Sequence, residues 1–331
     1  MIRFALLGAG FIGKVHAASL AAHPSVDLRY VYDVAFDRAE ELAALHGATA
    51  TTDLAVCFNR NEVDAVLIAS STNAHSEHLR LAADNGVPAY CEKPIDLSLA
   101  KARETVEYCE ARGLVAMVGF NRRFDRDHDE VQAAVKAGEI GDIELVEMSA
   151  RGPSMPAIEY VAVSGGIFRD STVHFFDLTR WITGADPVEV YATGGCLVDP
   201  RIAQYGDVDT AVVTLKLPSG ALVVLDNTRR AGYGYDEKIE VFGSKGMIES
   251  RRNRTGSVSR YLPGKVIDTG LHAGWFERVQ PTYFKALSAF VDALESGTAP
   301  APTLRDGLKA QALAEAATKS LASGKAEKVE Y

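Results

Sequence analysis

Short apolar, β-rich runs alternate with segments of helical period through the first 120 residues. RFALLGAG, DLRYVYD, DAVLIAS, VPAYCE and GLVAMVGF are the runs. Strands such as AVLIA are apolar on both faces, as a parallel sheet covered by helices on each side requires. The rhythm predicts a doubly wound α/β domain over residues 1–120. After Phe120 a basic turn, NRRFDRD, leads to a helix around Glu130 to Lys136. VEVYATGG, TAVVTLKLPSGALVVLDNTRR and KIEVFGSKGMIES then alternate polar and apolar positions, with PSG and GSKG as tight turns, the pattern of antiparallel strands. From Pro281 helical spacing returns, with Tyr283, Phe284, Leu287, Phe290, Val291 and Leu294 on one stripe. A second α/β domain over residues 121–331 follows from this change.

The length of 331 residues fits two domains. A formal charge of −9, with no basic run, argues against nucleic acid and against an anionic membrane surface. No apolar stretch is long enough to span a bilayer, and the apolar start MIRFALLGAGFIG breaks into glycines where a signal peptide needs its cleavage site. Cys57, Cys91, Cys109 and Cys196 form no CxxC, so they are expected to be reduced, buried small hydrophobes in a cytoplasmic protein without a metal site. Small molecules and other subunits remain as partners.

Gly8-Ala9-Gly10-Phe11-Ile12-Gly13 follows an apolar strand and opens a helix. In that setting Gly8 permits the tight turn, Gly10 lets backbone approach a pyrophosphate, and Gly13 lets helix and strand pack closely. Asp33, at the end of the next strand, is placed to accept ribose hydroxyls and to repel a 2′-phosphate. With Val34, Ala35 and Phe36 after it and no Arg until Arg38, NAD is favoured over NADP. The alternative for Asp33 is a solvated strand-end carboxylate. Ser70, Thr72, Asn73 and His75 leave the carboxyl end of the third apolar run, the edge where open α/β sheets bind ligands; an ordinary polar loop with a helix cap reads the same way.

Glu92-Lys93-Pro94 leaves another strand at that edge. Lys93 there could stabilise charge developing on an alcohol oxygen, or be a surface lysine paired with Glu92. In GGIFRDSTVHFFDLTRW, a helix beginning near Ser171 would align Asp170, His174, Leu178 and Trp181. Asp170 would otherwise be a helix cap and His174 a core residue. Together they suit alcohol oxidation: a neutral imidazole takes the hydroxyl proton, Asp170 orients the ring, and Lys93 polarises the oxygen.

GAGFIGKVH, CEKPID, MVGFNRRFD and SGGIFRDSTVHFFDLTRW resemble the signatures of the Gfo/Idh/MocA oxidoreductases, most closely those of its inositol dehydrogenases, along nearly the whole chain. The resemblance implies an N-terminal Rossmann domain that binds NAD, and a C-terminal α/β domain whose large, mostly antiparallel sheet carries substrate residues and joins subunits into a dimer or tetramer. It implies reversible NAD-dependent oxidation of a ring hydroxyl of inositol or a related polyol, with a pyranose or glycoside as the alternative substrate. Lys93, Asp170 and His174 match the family's catalytic residues, and Glu92 and Lys93 fall beside the cofactor. Asn121, Arg122 and Tyr235 match substrate positions, although Arg122 and Arg123 could form structural ion pairs and Tyr233 could replace Tyr235. Phe175 and Gly152 stand where inositol dehydrogenases of the family carry Asp, which bears on polyol choice.

Overall fold

All five strands expected in the N-terminal region form, joined by a sixth at the edge. In the computed structural model, which describes residues 1–331, β1 (Ile2–Leu7), β2 (Val26–Tyr32), β3 (Thr49–Thr51), β4 (Ala65–Ile68), β5 (Ala89–Cys91) and β6 (Ala116–Val118) make one parallel sheet. Its order is β3-β2-β1-β4-β5-β6. Five helices connect these strands: α1 (Phe11–Ala22), α2 (Phe36–His46), α3 (Leu54–Cys57), α4 (Thr72–Asn85) and α5 (Leu99–Ala111). Chain direction across the sheet reverses at the β1/β4 neighbours, so their carboxyl ends flank the crevice that this topology uses for ligands. All four residues of β4 are buried, as its apolar run required.

Two compact units result: residues 1–124 with 281–308, and residues 125–280 with 309–331. The helix after residue 281, expected in the C-terminal domain, therefore belongs in large part to the first unit. Within α9 (Trp275–Ser296), Ala286, Leu287, Phe290 and Val291 are fully buried in one core with Phe4, Leu6, Tyr90 and Met117. Phe290 meets the rings of Phe4 and Tyr90 edge-on at 6.3 and 5.9 Å. Phe284 leaves the stripe; it is half-exposed and lies against His23. Pro302, just before α10 (Leu304–Ser323), accepts the Val118 N–H and so extends the β6 edge.

The second unit is built on a seven-stranded sheet. Before it come a 3₁₀ turn (Asn121–Phe124), still in the first unit, and α6 (Arg126–Lys136), capped by Asp125, which accepts the Asp127 and His128 N–H groups. The strands are β7 (Ile143–Arg151), β8 (Glu189–Gly195), β9 (Thr210–Lys216), β10 (Leu222–Thr228), β11 (Asp236–Gly243), β12 (Gly246–Ser250) and β15 (Glu327–Lys328), ordered β12-β11-β7-β10-β9-β8-β15. Only β7 and β10 pair in parallel, so the sheet is mostly antiparallel. β13 (Arg260–Leu262) and β14 (Lys265–Ile267) form a separate hairpin. α7 (Ile158–Val163) and α8 (Val173–Thr183) lie between β7 and β8 in sequence, and α8 packs on α6 and β7. Alternation sorts the sheet into two faces: on β9, Ala211, Val213 and Leu215 point inward, while Val212 faces out in register with Asp226 and Thr193.

Candidate active site

The dinucleotide loop has the geometry its glycines imply. Gly8 sits at φ +106°, where a Cβ would come 2.5 Å from Ala69 O. A Cβ on Gly13 would collide with Gly8 O, so α1 approaches β1 only because neither residue has a side chain. Gly10, the N-cap of α1, faces open space with no atom within 4 Å of a Cβ position. Phe11 is exposed and Ile12 half-buried beside it. Asp33 is buried, and its two carboxylate oxygens accept the Ala9 and Ala35 N–H groups at 2.8 and 2.9 Å. Each oxygen keeps a further lone pair. An open, anion-favouring helix N-terminus beside an anchored carboxylate fits a dinucleotide with free ribose hydroxyls.

Two buried histidines hold the segment that carries Lys93. His16, on α1, places Nε2 2.8 Å from Oε1 of Glu92, and Oε2 of Glu92 accepts the Lys93 N–H at 3.2 Å. Glu92 is thus engaged by His16 rather than serving as a surface partner for Lys93. Gly119 makes room, since a Cβ there would stand 2.9 Å from the Glu92 carboxyl carbon. From the other side, His75 places its ring nitrogens 2.8 Å from Pro94 O and 3.0 Å from Ser70 O. Burial pushes its pKa below the usual 6.5 against those carbonyls. His75, expected at the cofactor, is 1% exposed and ties the loop after β4 to the Lys93-Pro94 turn. The Ser70 hydroxyl meets His78, while Thr72 and Asn73 open α4 at the same edge, half-buried and exposed. Lys93 is half-buried.

Asn121 and Arg122 begin the 3₁₀ turn that follows β6, and both are buried. The Asn121 amide donates to the Thr282 hydroxyl at 2.8 Å, fastening the turn to α9. Arg123 pairs with Asp306 at 3.4 Å.

In the second unit the turn bearing Asp170 is wider than expected. No α-helix begins at Ser171: residues Phe168–Thr172 form a π-helical turn and α8 starts at Val173. Gly165 and Gly166, at φ +80° and +88°, admit the chain into this turn, and the Thr172 hydroxyl bonds Ile167 O. Such turns recur at functional positions. Asp170 lies within the turn and caps nothing. Its Oδ1 accepts the Tyr160 hydroxyl at 2.7 Å, and its Oδ2 accepts Nη1 of Arg229 at 3.1 Å. His174 follows four residues later at the start of α8, half-buried. Leu178 is fully buried and Trp181 half-buried, as the stripe required.

Phe175 is 2% exposed, on a helix where Val173, Phe176, Leu178 and Ile182 are also buried, as is the carboxylate of Asp177. Gly152 is bonded through its N–H to Thr228 O, and a Cβ there would stand 3.2 Å from Arg229 O. Tyr235 is buried and donates its hydroxyl to Glu237 at 2.6 Å. Tyr233 is exposed and donates to Asp236 while accepting from Arg151. Cys57, Cys91 and Cys109 are buried as expected, whereas Cys196 is half-buried. No helix is long and apolar enough to cross a membrane.

Sequence reasoning passed over His16, Tyr160, Asp207 and Arg229. His16 had a signal, three residues past Gly13 in GFIGKVH; Tyr160 lies ten residues before Asp170, and Asp207 and Arg229 pair across 22 to 59 residues, with no local pattern to mark them.

Comparison with known proteins shows the family. Residues 2–120 match the family model described as oxidoreductase family, NAD-binding Rossmann fold, and residues 128–249 match the GFO/IDH/MocA C-terminal domain. The chain is 39% identical to inositol 2-dehydrogenase of Rhizobium meliloti, covering 97% of each chain. It is 41% identical to myo-inositol 2-dehydrogenase of Thermotoga maritima over 99% of each. A crystal structure of a myo-inositol dehydrogenase from Corynebacterium glutamicum superposes with a TM-score of 0.94 at 35% identity, covering 100% of this chain and 99% of that one. A chain matched over both domains, with the glycine loop, Asp33 and the Asp170–His174 turn formed, belongs to the GFO/IDH/MocA oxidoreductases.

Proposed function

We propose that the protein oxidises a ring hydroxyl of inositol to the ketone with NAD, and runs the reverse reduction. The observation that carries this reading is the Asp170–His174 turn, an anchored carboxylate one turn before an imidazole, in a chain whose relatives at 39% and 41% identity are inositol 2-dehydrogenases. When bound, the nicotinamide supplies the hydride acceptor.

The chain's own residues supply the rest. The α1 N-terminus at Gly10 holds the pyrophosphate and Asp33 the adenosine ribose, and the Asp33 charge excludes a 2′-phosphate. Ser70, Thr72, Asn73, Glu92 and Lys93 line the same sheet edge. The Lys93 ammonium binds the reacting hydroxyl and favours its ionised form. His174 takes the hydroxyl proton, and Asp170 holds the ring and balances the imidazolium that results. Asn121, Arg122 and Tyr235 complete substrate recognition.

The outer face of the seven-stranded sheet supports a homo-oligomer, dimer or tetramer. Tyr191, Val212, Leu222, Phe242 and Met247 share that face in register and are exposed. Free cysteines throughout support a cytoplasmic location.

The test is NADH formation with purified protein, NAD and a panel of inositol isomers beside common pyranoses and glycosides. Turnover of an inositol above every sugar supports the reading. Turnover of sugars alone transfers the same residues to a sugar dehydrogenase.

A further inference from the structure

Asp170 is held by a device that the catalytic reading does not use. Arg229, immediately after β10, is buried, with 5% of its side chain exposed. Its Nη1 lies 3.1 Å from Asp170 Oδ2 and its Nη2 lies 3.3 Å from Asp207 Oδ2. Asp207 is buried as well, and its Oδ1 accepts the Ile167 N–H at 2.8 Å, at the mouth of the π turn. Gly166 has room for Asp207 because a Cβ there would stand 3.2 Å from the same Oδ1. One guanidinium is therefore divided between two carboxylates, one under the turn and one within it.

We propose that Arg229 and Asp207 are positioning residues for Asp170: Arg229 fixes the carboxylate and Asp207 draws off part of the guanidinium charge, so that Asp170 still supports a cation at His174. The proposal rests on His174 acting as the base. Formally the three groups sum to one negative charge, which proton uptake by His174 would cancel. With Arg229 alone the pair would be neutral and would give an imidazolium little support; with neither, Asp170 would lack its anchor from β10.

Beyond these three, Asp177 of α8, fully buried three residues after His174, adds a carboxylate that wild type and variants share, and other groups meet Asp170 itself. Tyr160 reaches it from α7 as a neutral donor. Arg169, on the same turn, is paired with Glu315 of α10. Asp209, beyond Asp207, accepts the Leu197, Val198 and Asp199 N–H groups and the Thr210 hydroxyl. Asn227, on β10, donates to the Ser171 hydroxyl.

The test uses Arg229→Gln, Arg229→Lys and Asp207→Asn, each checked by thermal melting. The acid limb of kcat/KM against pH reports the base of the free enzyme, and NMR titration of the His174 ring in the resting protein reads the same group without substrate. Removing the cation should move His174 to higher pH, and removing the Asp207 charge should move it to lower pH, each by roughly half a pH unit or more. Arg229→Lys should stay near the wild type. Opposite displacements are what a merely structural role would not produce. Shifts in one direction, or none in folded variants, overturn the proposal. If Arg229→Gln does not fold, Asp207→Asn decides alone, because its amide keeps an acceptor for Ile167: a lower value supports the proposal and an unchanged one overturns it. Should inositol prove not to be the substrate, the NMR titration still decides.

Discussion

His16 and Glu92 meet through a 2.8 Å hydrogen bond with both side chains out of solvent, joining the helix that opens at the dinucleotide loop to the segment carrying Lys93. The ring is also flanked edge-on by Tyr90 and Tyr283, at 5.3 and 5.5 Å between centroids. This bond ties α1 to the turn that carries Lys93.

His16→Leu leaves Oε1 of the buried Glu92 carboxylate without its partner. A buried acceptor left in that state costs about 1–3 kcal/mol, more when charged. The melting temperature should fall and kcat should drop, while His16→Gln, whose amide can donate at a similar reach, recovers most of both. Melting curves and initial rates on the two variants check this; equal losses would show that the hydrogen bond is not what matters.

Asp33→Ala removes the proposed ribose acceptor and the acceptor for two loop N–H groups. NAD affinity should fall about tenfold, the scale of a lost hydrogen bond to a charged group, while NADP, no longer repelled, loses less. Fluorescence titration with both dinucleotides measures the ratio, and an equal loss would contradict the NAD preference.

Phe175→Asp should fail as a specificity switch. Phe175 is 2% exposed, and an unpaired carboxylate at a core position costs several kcal/mol. The expected result is a large fall in melting temperature or in soluble yield. A stable variant with a new preference among inositol isomers would show that this side chain reaches substrate.

Acid should lower the protein's stability over two pH windows. Burial pushes His78 down to about 4. The unfolded chain therefore binds its proton first, and stability falls as pH drops from about 6.5 toward 4. Burial would raise Asp125, but the Arg278 guanidinium and His128 hold it down to about 2. Its contribution, on the order of 2 kcal/mol, is complete above about 4 and lost as pH falls from there toward 2. Denaturant unfolding at a series of pH values checks both windows. His78→Phe should make the upper one shallower, with buried His75 still contributing to it, and Arg278→Met should do the same to the lower, where Asp64 also titrates.

Much of the fold was legible because parallel strands buried on both faces leave runs such as AVLIA, and strands exposed on one face leave alternation such as that of β9. The stripe on α9 marked a buried face but not its partner, so the grouping of residues 281–308 with the first compact unit was not legible. The π turn at Asp170 is a change of backbone hydrogen-bond register, and only the Gly165-Gly166 pair hints at it. The burial of Phe175 was not legible because α8 is buried nearly all round, which erases the helical period. Arg229 lies 59 residues from Asp170, and no local pattern links them.

The most direct test of the central claim compares wild type and His174→Ala for NADH formation with myo-inositol at saturating NAD. The account predicts turnover by the wild type and a loss of roughly 10² or more in the variant, the scale of a general base. Turnover near the wild-type rate in a folded His174→Ala protein would contradict it.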